Sequence, residues 1–187
     1  MNNDNCNNSY YNTKQHSVNS FDIADYAINY FIKINKNLSL KKLLVIMFFF
    51  QIITKIRNQA YVFEDAIIKK NNFIEIKDIN KKYGRYKNES LTNLNIQTVK
   101  VQYKKHSFTK KILETIFIIL QDTNEKELNK IVKNNVSFIK AKEKENIEII
   151  NHDYSFLNKL SKKKDFSTIV KDLIFIKWKK WKRASNQ

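Results

Sequence analysis

The sequence predicts a mainly α protein, a compact multi-helix bundle with at most a small hairpin or ordered loop. Three observations carry that expectation. Apolar residues recur at helical spacing in several separate segments. The 187 residues include one Gly and no Pro, too few for the many turns of a sandwich or barrel. Hydrophobic residues make up 42% and aromatics 13%, too much for a disordered chain and enough, at this length, for a core without disulfides or metal.

The elements follow in order. Residues 1–19 are Asn-rich, polar and aperiodic, and read as a disordered tail. A helical domain is expected over 20–160 and a basic amphipathic helix over 161–187. Ser20 is a candidate N-cap for the first helix, with Asp22 favoured in its first turn by the helix dipole. Ile23, Tyr26, Ala27, Tyr30, Phe31 and Ile34 then form one apolar stripe, and Asn35-Lys36-Asn37 ends it. Ser39 can cap a second helix reaching about Arg57, apolar all round at its centre and so surrounded by neighbours. Over 58–73 the pattern is less regular: Tyr61-Val62-Phe63 reads as extended, and Ile67-Ile68 as packing inward. A short third helix is expected over 74–83, with Gly84 as its C-terminal stop.

Residues 88–105 are open to a short hairpin or an ordered loop, because Leu94, Ile96, Val99, Val101 and Tyr103 partly alternate. A fourth helix over 109–120 turns Ile112, Leu113, Ile116, Phe117 and Leu120 inward. Asn124 with Glu127 three residues on signs the start of a fifth helix that buries Leu128, Ile131 and Val132. Asn134-Asn135 breaks it, and Phe138 and Ile139 anchor the following turn. Asp153 can cap a sixth short helix. Ser167 can cap a last one, reaching about Lys182.

Charge and cysteine usage narrow the function classes. The formal net charge is +17, from 35 basic and 18 acidic residues. Only Arg57, Arg85 and Arg183 are Arg, whereas proteins that read bases or grip phosphate bidentately favour Arg. Lys, Asn, Ile and Phe are also what AT-rich codons encode. Nonspecific attraction of nucleic acid is therefore expected from charge alone. The single Gly excludes glycine-rich nucleotide loops. The lone Cys6 excludes an internal disulfide framework and points to a reducing, cytoplasmic compartment. Residues 1–20 carry no apolar core of a signal peptide. The longest apolar run, residues 43–50, falls short of the ~20 a membrane-spanning helix needs, so no transmembrane segment is expected.

Three segments carry a family likeness. The first is Ile23-Ala24-Asp25-Tyr26 with Tyr30-Phe31, followed by Leu38-Ser39-Leu40-Lys41-Lys42-Leu43. The second is Phe48-Phe49-Phe50-Gln51 followed by Phe63-Glu64-Asp65. The third is Glu127-Leu128-Asn129 through Phe138-Ile139-Lys140-Ala141. In this order they resemble the SocA-like antitoxin domain, also called the Panacea domain, over about residues 20–155. The resemblance puts Phe48, Phe49 and Gln51 at the family's Tyr-Tyr-Ala-Gln positions and Phe63 near its Leu-Phe-Asp. It puts Asn72-Phe73-Ile74 at its Gly-Pro-Val turn, Leu128 in its Glu-Leu pair and Phe138 where it has Trp. The Gly-Pro turn is lost, a late His is replaced by Asn134 or Asn135, and a Gln-Lys pair reads Leu44-Val45. The resemblance implies a helical, non-enzymatic protein without a cofactor that binds and neutralises a cognate protein toxin, usually encoded by an adjacent gene. Some such proteins deliver the toxin to a protease, and the domain also occurs in phage-associated and mobile-element proteins.

The candidate chemistry is sparse. His16, His106 and His152 stand far apart, in no zinc spacing. Cys6 lacks a placed His and reads as an incidental thiol. Asp65 followed by Glu75-x-Lys77 has the spacing of a metal-dependent nuclease core. That chemistry needs Glu75 and Lys77 on a strand, and a helix pattern through Ile76, Ile79 and Tyr83 competes for the same residues. Residues 161–187 hold nine basic and two acidic residues and both Trp of the chain. They read as a helix packed on the domain with lysine stems reaching outward, as a partner-docking helix, or as a segment touching anionic lipid or nucleic acid. The candidate partner contacts are Asn72, Phe73 and Ile74, with Trp178, Lys179, Lys180 and Trp181. The alternative to an antitoxin is a basic nucleic-acid-binding accessory protein of a plasmid or phage.

Overall fold

Eight consecutive apolar residues, 43–50, cannot hide on one face of a helix, and they form the centre of the protein. In the computed structural model, which describes residues 18–58, 61–94 and 107–149, every one of them is at most 4% exposed. They belong to α2 (Leu40–Asn58), and Ser39 caps its start, its Oγ accepting from the Lys42 N–H at 3.2 Å. Around α2 pack α1 (Ser20–Lys33), α4 (Ser107–Leu120), α5 (Glu125–Lys133) and the hairpin strand β2 (Phe73–Ile76). The hairpin's other strand is β1 (Ile67–Lys70), and α3 (Lys77–Tyr83) and α6 (Val136–Lys140) complete the helices. The protein is mainly α, with a single two-stranded sheet among the described residues. None of these helices is long and apolar enough to cross a membrane. The expected tail up to residue 17, the alternation at 96–103, and everything from residue 150 on lie outside the described residues, Trp178, Lys179, Lys180 and Trp181 among them.

The first helix begins one residue earlier than expected. Asn19, not Ser20, is the N-cap: its Oδ1 accepts from the Phe21 N–H at 2.8 Å, and Ser20 is buried as the first helical residue. The chain just before is already fixed, since the Val18 N–H donates to the Val62 carbonyl at 2.7 Å. On the inner face, Phe117 of α4 meets Tyr26, Tyr30 and Phe31 of α1 with ring centroids 4.6–6.0 Å apart. Such ring pairs add about 0.5–1.5 kcal/mol each beyond the area they bury. Glu114 interrupts the apolar run of α4 and has a partner there, the Tyr26 hydroxyl donating to it at 2.6 Å.

The capping box at α5 forms as the spacing predicts. Asn124 Oδ1 accepts from the Glu127 N–H at 2.9 Å, and the Glu127 carboxylate accepts from the Asn124 N–H at 3.3 Å. Asn134-Asn135 does break the helix, and Asn135 at once caps α6 by accepting from the Phe138 N–H. Phe138 is buried, but Ile139 is 58% exposed and anchors nothing. A five-residue helix turns only part of its circumference to the core.

Between 67 and 86 one expected boundary is corrected and one is met. The hairpin is at 67–76, and the helix expected from residue 74 begins at Lys77. Both competing patterns are realised in tandem, because Ile74 and Ile76 alternate inward on β2 before Ile79 and Tyr83 continue at helical spacing. The turn is Asn71-Asn72, with φ of 52° and 56°. Both residues sit in the left-handed region that a two-residue hairpin turn requires and that Asn tolerates. The third helix does stop at Gly84, its C-cap, but not through a left-handed residue: φ is −60°, and the chain tightens into a 3₁₀ turn over Gly84–Tyr86.

Candidate functional site

Gln51, Phe63 and Asp65, singled out from sequence, meet at the corner where the end of α2, the hairpin and residues 144–149 come together. Gln51 organises it. Its side chain, 2% exposed, uses both ends of the amide: Nε2 donates to the Phe63 carbonyl at 2.6 Å and Oε1 accepts from the Val62 N–H at 2.8 Å. The only Gln of α2 thus holds the segment after it as a backbone strand would. Val62 passes the tie on to Val18 through its carbonyl. Phe63 turns into the core at 1% exposure.

The hairpin adds a second tie. Register pairs Ile67 with Ile76 and Lys69 with Ile74, so Lys69 occupies an inward position beside three buried isoleucines. A lysine there must satisfy its ammonium group. Lys69 Nζ donates to the carbonyls of Phe138 (3.2 Å) and Ala141 (2.9 Å), at the C-terminal end of α6, and lies 4.7 Å from the Phe138 ring centroid. A cation is favoured at that end by the helix dipole. Residues 144–147 then run along the free edge of β1. The Lys69 N–H donates to the Glu145 carbonyl, the Lys144 N–H to the Lys69 carbonyl and the Ile147 N–H to the Ile67 carbonyl. They cover an edge that would otherwise offer unpaired backbone groups.

Between residues 61–67 and 146–149 lies a cavity of about 270 Å³, with Gln51 behind it and Asp65, Ile67, Asn146 and Ile149 in its walls. Tyr61 stands at its edge, 46% exposed, with Lys55 Nζ 4.4 Å from its ring centroid.

The remaining candidates divide. Phe48, Phe49, Leu128 and Phe138 share one buried apolar cluster with Phe63. Asn72 is exposed at the hairpin turn, Phe73 is half-buried under the Lys41 ammonium (5.1 Å to its ring centroid), and Ile74 is 2% exposed. Ile74 therefore presents no side chain to a partner while the hairpin is intact. Glu75 pairs with Lys70 at 3.0 Å and accepts from Asn80 at 3.1 Å, whereas Asp65 lies at the cavity. Among the described residues no three His, Cys, Asp or Glu are grouped to hold a metal ion.

Two polar ties outside the corner were not singled out from sequence. Asp25, 7% exposed, accepts from the Tyr83 hydroxyl and, at 3.2 Å from each carboxylate oxygen, from Lys82 Nζ, joining α1 to α3. Burial first, then the hydrogen bond to Asp25 and its charge, push the Tyr83 hydroxyl far above its ordinary value. Lys42, 8% exposed, donates to the Gln121 carbonyl at 2.8 Å at the end of α4, and burial lowers its pKa, partly offset by Asp122. Neither had a usable sequence signal, since an isolated Asp or Lys inside a helix reads as solvated. No protein-family model, no curated protein and no solved structure matches this chain.

Proposed function

We propose that the chain is an antitoxin-like protein of the SocA-like kind, a non-enzymatic cytoplasmic protein that neutralises a cognate protein toxin by direct contact. The observation that carries the reading is convergence. Phe48, Phe49 and Gln51 from α2, Phe63 from the segment after it, Leu128 from α5 and Phe138 from α6 are spread over some ninety positions and are all buried. The segment order that resembles the family thus has one three-dimensional reason: each piece supplies part of the same interior. Gln51 adds a specific role, because only a side chain with both a donor and an acceptor can tie Val62 and Phe63 at once. The toxin-facing surfaces we assign are the hairpin turn at Asn72 with Phe73 beneath it, and the basic segment with Trp178, Lys179, Lys180 and Trp181. A lysine-rich rim favours an acidic partner through encounter rate and orientation.

Co-expression with each immediately flanking reading frame tests this. The expected result is one neighbour that is toxic alone, harmless beside this chain, and recovered in complex with it. Adding protease-deficient hosts shows whether delivery to a protease contributes. If no neighbour is toxic and none binds, the antitoxin reading fails. The +17 charge then makes salt-dependent nucleic-acid binding the next question.

A further inference from the structure

The outward line of α5 is built of lysine alone. Lys126, Lys130 and Lys133 recur at i, i+4 and i+7, so they stand one above another on one face, and all three are exposed. Leu128 and Val132 are buried on the other side. The two acids of the helix lie off that line, each about 100° round the helix from Lys126, and both are engaged. Glu125 pairs with Lys41 at 3.5 Å, and Glu127 accepts from the Asn124 N–H at 3.3 Å. Six lysines of other segments have a carboxylate at 3.0–3.8 Å, whereas among the described residues none lies within ion-pair distance of these three. Like charges at such spacings repel and weaken a helix. The helix dipole favours Lys130 and Lys133 in the last turn but disfavours Lys126 in the first. Helix stability therefore does not account for the stripe, and an anion lying along it would relieve the repulsion.

The chemistry of the face selects the anion. Protein interfaces place apolar and aromatic side chains at their centre and are poor in Lys, whereas the positions flanking this line are Asn129 and Asn134. A helix that lies on a membrane inserts its apolar side, and here Leu128 and Val132 are shut in the core. Lys meets phosphate as a point charge and, unlike the forked Arg, is not built for bidentate reading of a base edge. From Lys126 to Lys133 the helix rises about 10 Å, the length of about three phosphates on one strand of a duplex. We infer that the outward face of α5 binds the phosphate backbone of a nucleic acid without regard to sequence, Lys126, Lys130 and Lys133 each neutralising one phosphate. This surface is distinct from the toxin-facing surfaces assigned above, and either reading can fail without the other.

Fluorescence anisotropy of a labelled DNA duplex of about 20 base pairs, titrated with the full chain between about 50 and 200 mM salt, tests the assignment. In Lys126→Gln/Lys130→Gln/Lys133→Gln the slope of log K against log salt should become shallower by about 2–3, and binding near 0.1 M salt should weaken on the order of a hundredfold. The charge-matched variant Lys77→Gln/Lys81→Gln/Lys87→Gln, on exposed lysines of α3 and the turn after it, should keep a slope within about one of the wild type. One strand of the duplex is run alone alongside, since its phosphates carry the same chemistry. A loss with either form supports the proposal, and the form bound more tightly names the ligand. All six lysines are exposed, so the far-ultraviolet circular dichroism of both variants should match the wild type. If a variant does not fold, lysine acetylation of the wild-type chain with and without duplex, read by mass spectrometry, replaces it. Lys126, Lys130 and Lys133 should then be protected and Lys77, Lys81 and Lys87 should not. Equal losses in the two variants overturn the proposal, because net charge alone then does the binding. An unchanged α5 variant overturns it too, as do a wild-type chain that binds neither form at the lowest salt and α5 lysines no better protected than those of α3. Polyglutamate that binds as tightly as the duplex, through the same three lysines, assigns the face to an acidic protein and overturns it equally.

Discussion

The centre of α2 and the corner beside it lie within one chain turn of each other and are held by different physics. From Leu43 to Phe50 every side chain is apolar and at most 4% exposed, so order there comes from area removed from water and from close packing. The corner is tied instead by individual hydrogen bonds, from two polar side chains and from the backbone of residues 144–147. Gln51 holds residues 62 and 63, Lys69 holds the end of α6, and residues 144–147 hydrogen-bond to β1. The difference teaches where loss is graded and where it is all-or-none. A packed core responds to lost volume, whereas a polar connector responds to the loss of one atom.

The largest effect tests the packed side. Phe49→Ala removes a fully buried ring that lies 5.3 Å from the Phe48 centroid, and is expected to cost about 3–5 kcal/mol. Urea denaturation should show the midpoint fall with an unchanged slope. Next comes the connector. Gln51→Leu keeps the volume and gains apolar surface, so a purely packed site would tolerate it. Here it strands the Val62 N–H and the Phe63 carbonyl, and a cost of about 2–3 kcal/mol is expected. Amide exchange at Val62 should quicken beyond the global change. A neutral Gln51→Leu would break the comparison, since packing would then explain both regions.

The contrast also marks what the sequence makes legible. The central helix, the α1 stripe and the α5 cap are visible because periodicity and capping are local rules, written within a few residues. The hairpin had a local signal too, Asn71-Asn72 between alternating residues, but Ile76, Ile79 and Tyr83 offered a helix over overlapping positions. Register with residues 144–147 decides between them, and those residues lie some seventy positions away. Lys69 shows the limit most clearly. Its type argues for solvent, and only its pairing opposite Ile74 and the carbonyls of Phe138 and Ala141 make an inward lysine affordable. The cavity is illegible for the same reason, being made where two distant stretches of chain meet.

Tyr83 extends the connector class to the α1–α3 contact and gives it a pH signature. Tyr83→Phe keeps the ring but removes the donor to buried Asp25, an expected loss of about 1–3 kcal/mol at neutral pH. Because the folded-state pKa of Tyr83 is raised above its ordinary 10.0, the proton is bound more tightly in the folded chain. That stabilisation is fully present below pH 10 and is lost as pH rises beyond it. The stability gap between wild type and Tyr83→Phe should therefore narrow above pH 10. Tyr30 shifts in the same direction and is common to both proteins. Lys42, with its lowered pKa, works oppositely, adding stability as pH rises through its folded-state value, and also cancels in the comparison. A gap that stays constant through this range would show that Asp25 does not hold the Tyr83 proton.

The smallest effect separates backbone demand from residue type. Asn72 has φ 56°, and Asn72→Ala should cost up to about 1 kcal/mol, because Ala keeps the Cβ strain of the left-handed region but loses the short polar side chain whose local hydrogen bonding lets Asn tolerate it. Gly84, the residue whose type most suggests such a conformation, sits at φ −60° and ψ −27°. An added Cβ there meets nothing within 4 Å. Gly84→Ala should then leave the folded state untouched while removing freedom from the unfolded chain, raising stability by about 0.4–1 kcal/mol. Thermal unfolding of the two variants side by side should move in opposite directions. If Gly84→Ala destabilises instead, the 3₁₀ turn after α3 requires something only glycine supplies.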